Sequence, residues 1–167
     1  MRSRITLVAV TLLLLSACAA MLLRAEDKSK LQWCSFEKGL AEAKKTNKKM
    51  LVDVYTDWCG WCKRMDTDTY SNADIASYLQ DKYVVVKLNA ESSTRQSYNG
   101  KQYTEQELAG EFGVTGYPTT IFFKSDGAAI TALPGYADAA NFKTILSYIA
   151  EDHYLNTKFE DYARTKK

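Results

Sequence analysis

Histidine is nearly missing from this 167-residue chain: His153 is the only one, and there are just two prolines and four cysteines. Each scarcity excludes something. A structural zinc site takes about four Cys or His ligands, yet the sequence holds a single Cys-x-x-Cys, with no second such pair and no His pair to complete it. Two prolines leave no material for a Pro-rich linker between domains. Charge of one sign is also lacking: 22 Lys and Arg face 20 Asp and Glu, for a net charge of +2. The basic clusters Lys44-Lys45, Lys48-Lys49 and Lys166-Lys167 are short and read as solvated faces, not as a nucleic-acid patch. No internal repeat or low-complexity tract breaks the chain.

One long hydrophobic run is present, at the N-terminus. Arg2 and Arg4 precede the apolar stretch Ile5 to Leu15, the layout of a targeting segment. Leu15-Ser16-Ala17-Cys18 resembles the lipobox of bacterial lipoproteins. That resemblance implies acylation of Cys18 and a stable hold on a membrane surface through several acyl chains. Ala17-Cys18-Ala19 also satisfies a small-x-small cleavage site, and Met21-Leu22-Leu23 lengthens the run enough for an uncleaved spanning helix. All three place the folded part outside the cytoplasm, in a bacterial periplasm or cell envelope, with the lipoprotein preferred. The expected division is a signal, lipoprotein-type or anchor segment over 1–25 and one domain over 26–167, of a size that a single core serves.

Beyond a polar tether from Glu26 to Gln32, pattern and caps predict a sequence of short elements. Ser35 is placed to cap a helix from Phe36 to about Thr46, with Phe36, Leu40 and Ala43 on one face. Lys49 to Tyr55 reads as a strand, Gly60 to Tyr70 as a helix, and Asn72 as the cap of another helix through Leu79. Tyr83 to Leu88 is a β-branched strand, and Glu91 to Lys101 a long polar loop. Thr104 and Glu107 have capping-box spacing before a helix to Phe112. Thr119 to Phe123 and about Ala128 to Leu133 form a hairpin, and Asp138 caps a final long helix. Parallel strands joined by helices and closed by a hairpin predict an α/β fold: a mixed central sheet with helices on both faces.

The chemistry is concentrated in Asp57-Trp58-Cys59-Gly60-Trp61-Cys62-Lys63, which follows the apolar strand and opens a helix. Two cysteines three positions apart interconvert between dithiol and disulfide, so Cys59 and Cys62 form a candidate two-electron couple. A helix start favours a thiolate on Cys59, the expected nucleophile and the more exposed sulfur. Cys62, one turn inward, is the resolving thiol. Asp53 interrupts an otherwise apolar strand, where burial raises a carboxyl pKa and suits it to take a proton from Cys62 through a water. An inert structural disulfide and half of a metal site are the competing readings of the cysteines.

Trp58-Cys59-Gly60-Trp61-Cys62-Lys63, with Asp53 six residues before Cys59 and Gly116-Tyr117-Pro118-Thr119 further on, resembles the thioredoxin family over roughly Phe36 to Ala150. The nearest subgroup is the exported thioredoxin-related proteins, with an extra N-terminal helix. The resemblance implies a thioredoxin fold and a thiol–disulfide oxidoreductase that needs no bound cofactor and no metal. Lys87 matches a lysine that neighbours the acid in that family. Pro118 matches its cis-proline, in a loop that faces the cysteines and pairs with substrate. Two departures stand out. Tyr117 replaces a small or aliphatic residue, and Gly60-Trp61 replaces Gly-Pro, so Trp61 becomes a candidate partner contact at an exposed helix start. Trp58 is expected to pack beside the motif.

The implied partners are protein thiols and disulfides. An exported reductase also needs an electron donor in the membrane, and the chain is expected to act as a monomer at a membrane surface. Cys34 is left over, read as a partly buried thiol or as half of a regulatory or intermolecular disulfide. His153 carries no catalytic expectation. Tyr148, Tyr154, Phe159 and Tyr162 suggest a C-terminal segment docked on the core. A metal-handling or chaperone-like binding module on the same fold is the alternative function, and a purely structural role a third.

Overall fold

The structure is a computed structural model that describes residues 30–166; the segment over 1–25, Cys18 included, lies outside the described residues. In chain order come α1 (Phe36–Thr46), β1 (Lys49–Tyr55), α2 (Gly60–Met65) running into a π-turn (Asp66–Tyr70), α3 (Ala73–Lys82) and β2 (Tyr83–Asn89). Then follow β3 (Arg95–Tyr98), β4 (Lys101–Thr104), α4 (Glu105–Glu111), β5 (Thr119–Phe123), β6 (Ala129–Pro134), α5 (Ala139–Ala150), a 3₁₀ turn (His153–Leu155) and α6 (Phe159–Arg164).

The main sheet has the order β2-β1-β5-β6, with β1 parallel to β2 and antiparallel to β5. β1 is central and buried on both faces, as its apolar run requires. Side-chain alternation divides the core in two. Met50, Val52, Val54, Val86 and Leu88 face α1 and α4 through Phe36, Leu40, Ala43 and Leu108. Leu51, Val85 and Phe122 face α3 and α5 through Ile75, Leu79, Phe142, Leu146 and Ile149. This is the mixed sheet with helices on both faces that the residue pattern predicts. The side chains of Asp53 and Lys87 follow the parity of Leu51 and Val85, on the side of α3 and α5.

Local signals hold in three of the four predicted caps. Asn72 Oδ1 accepts from the N–H groups of Asp74 and Ile75, Asp138 from that of Asn141, and Thr104 and Glu107 form a full capping box. Ser35 is the exception: it occupies the cap of α1, but its side chain makes no capping bond. Gln96 Oε1 accepts the Glu37 N–H instead, at 3.1 Å.

That substitution comes from a second difference. The stretch expected as a long loop contains the antiparallel hairpin β3–β4. Asn99 and Gly100 both take positive φ (50° and 77°) in a two-residue turn. The hairpin lies against α1: Gln96 is 3% exposed, and Tyr98 meets Phe36 edge-on. The tether also ends earlier than its polarity suggests. Leu31 is buried in the core, and Cys34 forms a parallel bridge with Val86 on the outer edge of β2. At the other end, Tyr148 packs against Phe159 and Tyr162 of α6, with His153 stacked on Tyr162.

Candidate redox site

Cys59 is the N-cap of α2, delivered there by the end of β1 and the turn after it. Its N–H donates to the Thr56 carbonyl (3.2 Å), and its Sγ accepts the Cys62 N–H (3.1 Å). Sulfur thus meets one of the N–H groups that a helix start leaves unpaired, an arrangement that favours a thiolate. Cys59 and Cys62 form a disulfide, with Cα atoms 5.3 Å apart. The anticipated contrast in exposure is small: the bonded cysteines lie under common cover, 4% and 3% exposed.

Asp53 and Lys87 are register partners on β1 and β2, and Lys87 Nζ lies 2.5 Å from Asp53 Oδ2. The Asp53 side chain is 1% exposed. Its Oδ1, like Thr56 Oγ1, is buried without a hydrogen-bond partner among the described residues. Burial pushes the Asp53 carboxyl above its ordinary range, and the Lys87 charge only partly offsets this. Burial pushes the Lys87 ammonium the other way, but Asp53 and Asp66 together hold it above its ordinary value.

Four members of this cluster went unidentified in the sequence. Asp66 accepts a second bond from Lys87 Nζ. Trp33, Tyr55 and Tyr70 place ring centroids 4.8, 5.1 and 5.4 Å from the same nitrogen, so the ammonium sits in an aromatic cage. Asp66 did carry a signal: it stands four residues after Cys62, on the same helical face. The expected helix over 60–70 widens into a π-turn where Asp66 and Tyr70 join the cluster.

Around the disulfide the surface is aromatic. The Tyr117–Pro118 bond is cis, and Pro118 is buried. Trp61 is 55% exposed, 5.5 Å from Tyr136, with the Arg64 guanidinium over its ring. Trp58 packs beside the motif as expected, touching Tyr117 edge-on and donating its Nε1–H to Glu91; these contacts engage only part of the indole, which is 67% exposed. Cys34 forms no disulfide among the described residues and is half-buried, its thiol donating to the Val85 carbonyl, and burial pushes its pKa up.

Residues 36–150 match the family model described as a thioredoxin-like domain. The thiol:disulfide interchange protein DsbD of Yersinia pestis is 34% identical over 109 residues, covering 62% of this chain and 16% of that protein. The disulfide bond reductase DsbH of Chlamydia pneumoniae is 25% identical over 104 residues, 62% of each chain. This chain therefore spans about a sixth of the length of the DsbD relatives it matches. Among solved structures, a thioredoxin-fold protein from Helicobacter pylori superposes with a TM-score of 0.66 at 22% identity, over 78% of this chain and 97% of that one. A thioredoxin from Thermus thermophilus gives 0.58 at 26% identity, over 71% and 86%.

Proposed function

The chain belongs to the thioredoxin-like domain family, and from that membership we propose that it is an extracytoplasmic thiol–disulfide oxidoreductase that reduces disulfides in other proteins. The observation that carries the reading is the Cys59–Cys62 bond at the start of α2, with Cys59 Sγ already accepting a helix N–H. The names of the DsbD and DsbH relatives support the same chemistry, and DsbH supports its direction.

In the reduced protein, the Cys59 thiolate attacks one sulfur of the partner's disulfide. A Cys59–partner bond forms, and the partner's other sulfur leaves as a thiolate that takes up a proton. Cys62 then loses its proton to Asp53, through a water, and attacks Cys59 Sγ. The intramolecular disulfide forms, and the partner's second sulfur departs as a thiolate that takes up the proton held by Asp53. Two electrons have passed to the partner, with one proton from solvent and one from Cys62 by way of Asp53. Asp53 suits the acceptor role because burial raises its proton affinity, and Lys87 limits that rise.

Trp61 and Tyr117 form the contact surface for the partner, the buried Pro118 shapes the loop beneath it, and Trp58 and Tyr136 extend that surface. Regeneration draws on a membrane electron-transfer protein, and the N-terminal segment, through Cys18, holds the chain at the membrane surface. The test is catalytic reduction of a protein disulfide substrate by dithiothreitol, with and without the protein. Acceleration by wild type that is lost in Cys59→Ser supports the proposal; no acceleration rejects it.

A further inference from the structure

We propose that the segment from Lys30 to Ser35 is a working strap of the redox site, in which Trp33 is a positioning residue whose ring face holds the Lys87 ammonium against Asp53. The proposal rests on the reading of Asp53 as the proton acceptor for Cys62.

The strap is fixed at both ends. Leu31 is 7% exposed in the core, and the Gln80 side-chain amide donates to the Lys30 carbonyl at 3.1 Å. At its far end, Cys34 N–H donates to the Val85 carbonyl and Lys87 N–H to the Cys34 carbonyl, both at 3.2 Å. These two bonds seat the strap beside Lys87 and set Trp33 over its side chain. The Trp33 ring lies 4.8 Å from Lys87 Nζ and stands edge-on to Tyr70, with centroids 4.9 Å apart.

Lys87 needs such a clamp. Its four-carbon stem is flexible, and the ammonium bonds both the buried Asp53 and the half-exposed Asp66. A cleft of about 300 Å³, lined by Lys30, Trp33, Asp66, Tyr70 and Lys87, leads from solvent to this point. With the Trp33 face removed, water in the cleft and Asp66 compete for the ammonium. Asp53, whose Oδ1 has no hydrogen-bond partner among the described residues, then loses part of the Lys87 countercharge. The titratable and charged groups facing the pair are Asp53 and Tyr55 from β1, Asp66 and Tyr70 from the π-turn, and Lys30 from the strap. Asp57 and Glu105 bear on Tyr55. Of these, Lys87 is the charge that lowers the proton affinity of Asp53 most.

The test follows the Asp53 carboxyl by ¹³C NMR titration in the reduced full-length protein. Trp33→Ala should move its midpoint up by about half a pH unit or more, roughly a threefold gain in proton affinity. Trp33→Phe, which keeps a ring face, should restore most of the wild-type midpoint. Trp33→Ala opens a hole beside Tyr70, so Trp33→Leu serves as a second variant: it fills space without a π face and should shift the midpoint in the same direction. In a Lys87→Met background the effect of Trp33→Ala should vanish. An unmoved or lowered midpoint in Trp33→Leu, or an equal shift without Lys87, overturns the proposal. The underlying reading fails separately. Asp53→Asn protein that exchanges disulfides at the wild-type rate overturns both, whereas slowed exchange in Asp53→Asn with an unmoved midpoint in Trp33→Leu overturns the strap's role alone.

Discussion

Asp53 and Lys87 face each other across neighbouring parallel strands, and their charged groups meet at 2.5 Å with only the lysine touching solvent. Both pKa values lie above their ordinary positions, Asp53 through burial and Lys87 through its two carboxylates, which outweigh its own burial.

For stability, a raised carboxyl pKa means that the folded state keeps a proton which the unfolded state has released. Stability therefore falls as pH rises from the ordinary aspartate value toward the folded one, by up to about 1.4 kcal/mol per pH unit. The Lys87 contribution persists below the ordinary lysine pKa and is lost only as pH rises through its raised value. Asp68, Glu107 and Asp138 are held low by hydrogen bonds from Arg64, Thr104 and Asn141, so they lose stability as pH falls. They do so in wild type and variant alike. The stability of Asp53→Asn minus that of wild type should thus grow with pH from the acid side and then level off, measured by urea melts. Parallel curves would remove Asp53 from the pH response.

Cys62→Ala should stop the exchange halfway. Cys59 then keeps its partner as a mixed disulfide that dithiothreitol releases, visible as an added mass, and Cys59→Ala should trap none. Cys34 does not substitute, since burial disfavours its thiolate. Equal trapping by both variants would contradict the assignment of nucleophile and resolving thiol.

Trp61 presents an exposed indole between Tyr136 and Arg64. Trp61→Ala should raise KM for a protein disulfide at least about fivefold, the loss of more than about 1 kcal/mol typical of an aromatic anchor. It should leave reduction of a small aliphatic disulfide unchanged. The same loss on both substrates would mean that Trp61 supports the motif rather than the partner.

Gly39 marks where α1 lies tight against the sheet. A Cβ there would overlap Val86 Cγ2 and come within 3.3 Å of Cys34 Sγ. Gly39→Ala gains helix propensity but overpacks this contact, and should cost about 1–3 kcal/mol in a denaturant melt. A neutral or stabilising result would show that the helix can lift without loss.

What was legible in the sequence was local or strongly patterned. Buried strands announce themselves by apolar runs, and Asn72, Thr104 (with Glu107 inside the helix) and Asp138 cap the helices that follow them. The Cys59–Cys62 motif is contiguous with its strand and helix. The hairpin β3–β4 was hidden because its strands, Arg95–Tyr98 and Lys101–Thr104, are polar and lie at the surface, leaving Asn99-Gly100 as the one strong signal. The Lys87 cage was hidden for a different reason. Trp33 reaches Lys87 from the strap, and Asp66 and Tyr70 from the π-turn, two stretches of chain far from each other in sequence. Trp33 does so through a strand bridge that no local pattern encodes.

The most direct test of a reducing role is the reduction potential of the Cys59–Cys62 couple, by equilibration in dithiothreitol or glutathione buffers. A reductase of protein disulfides predicts a value below about −250 mV. A value above about −180 mV would contradict it and make the protein an oxidant or an isomerase.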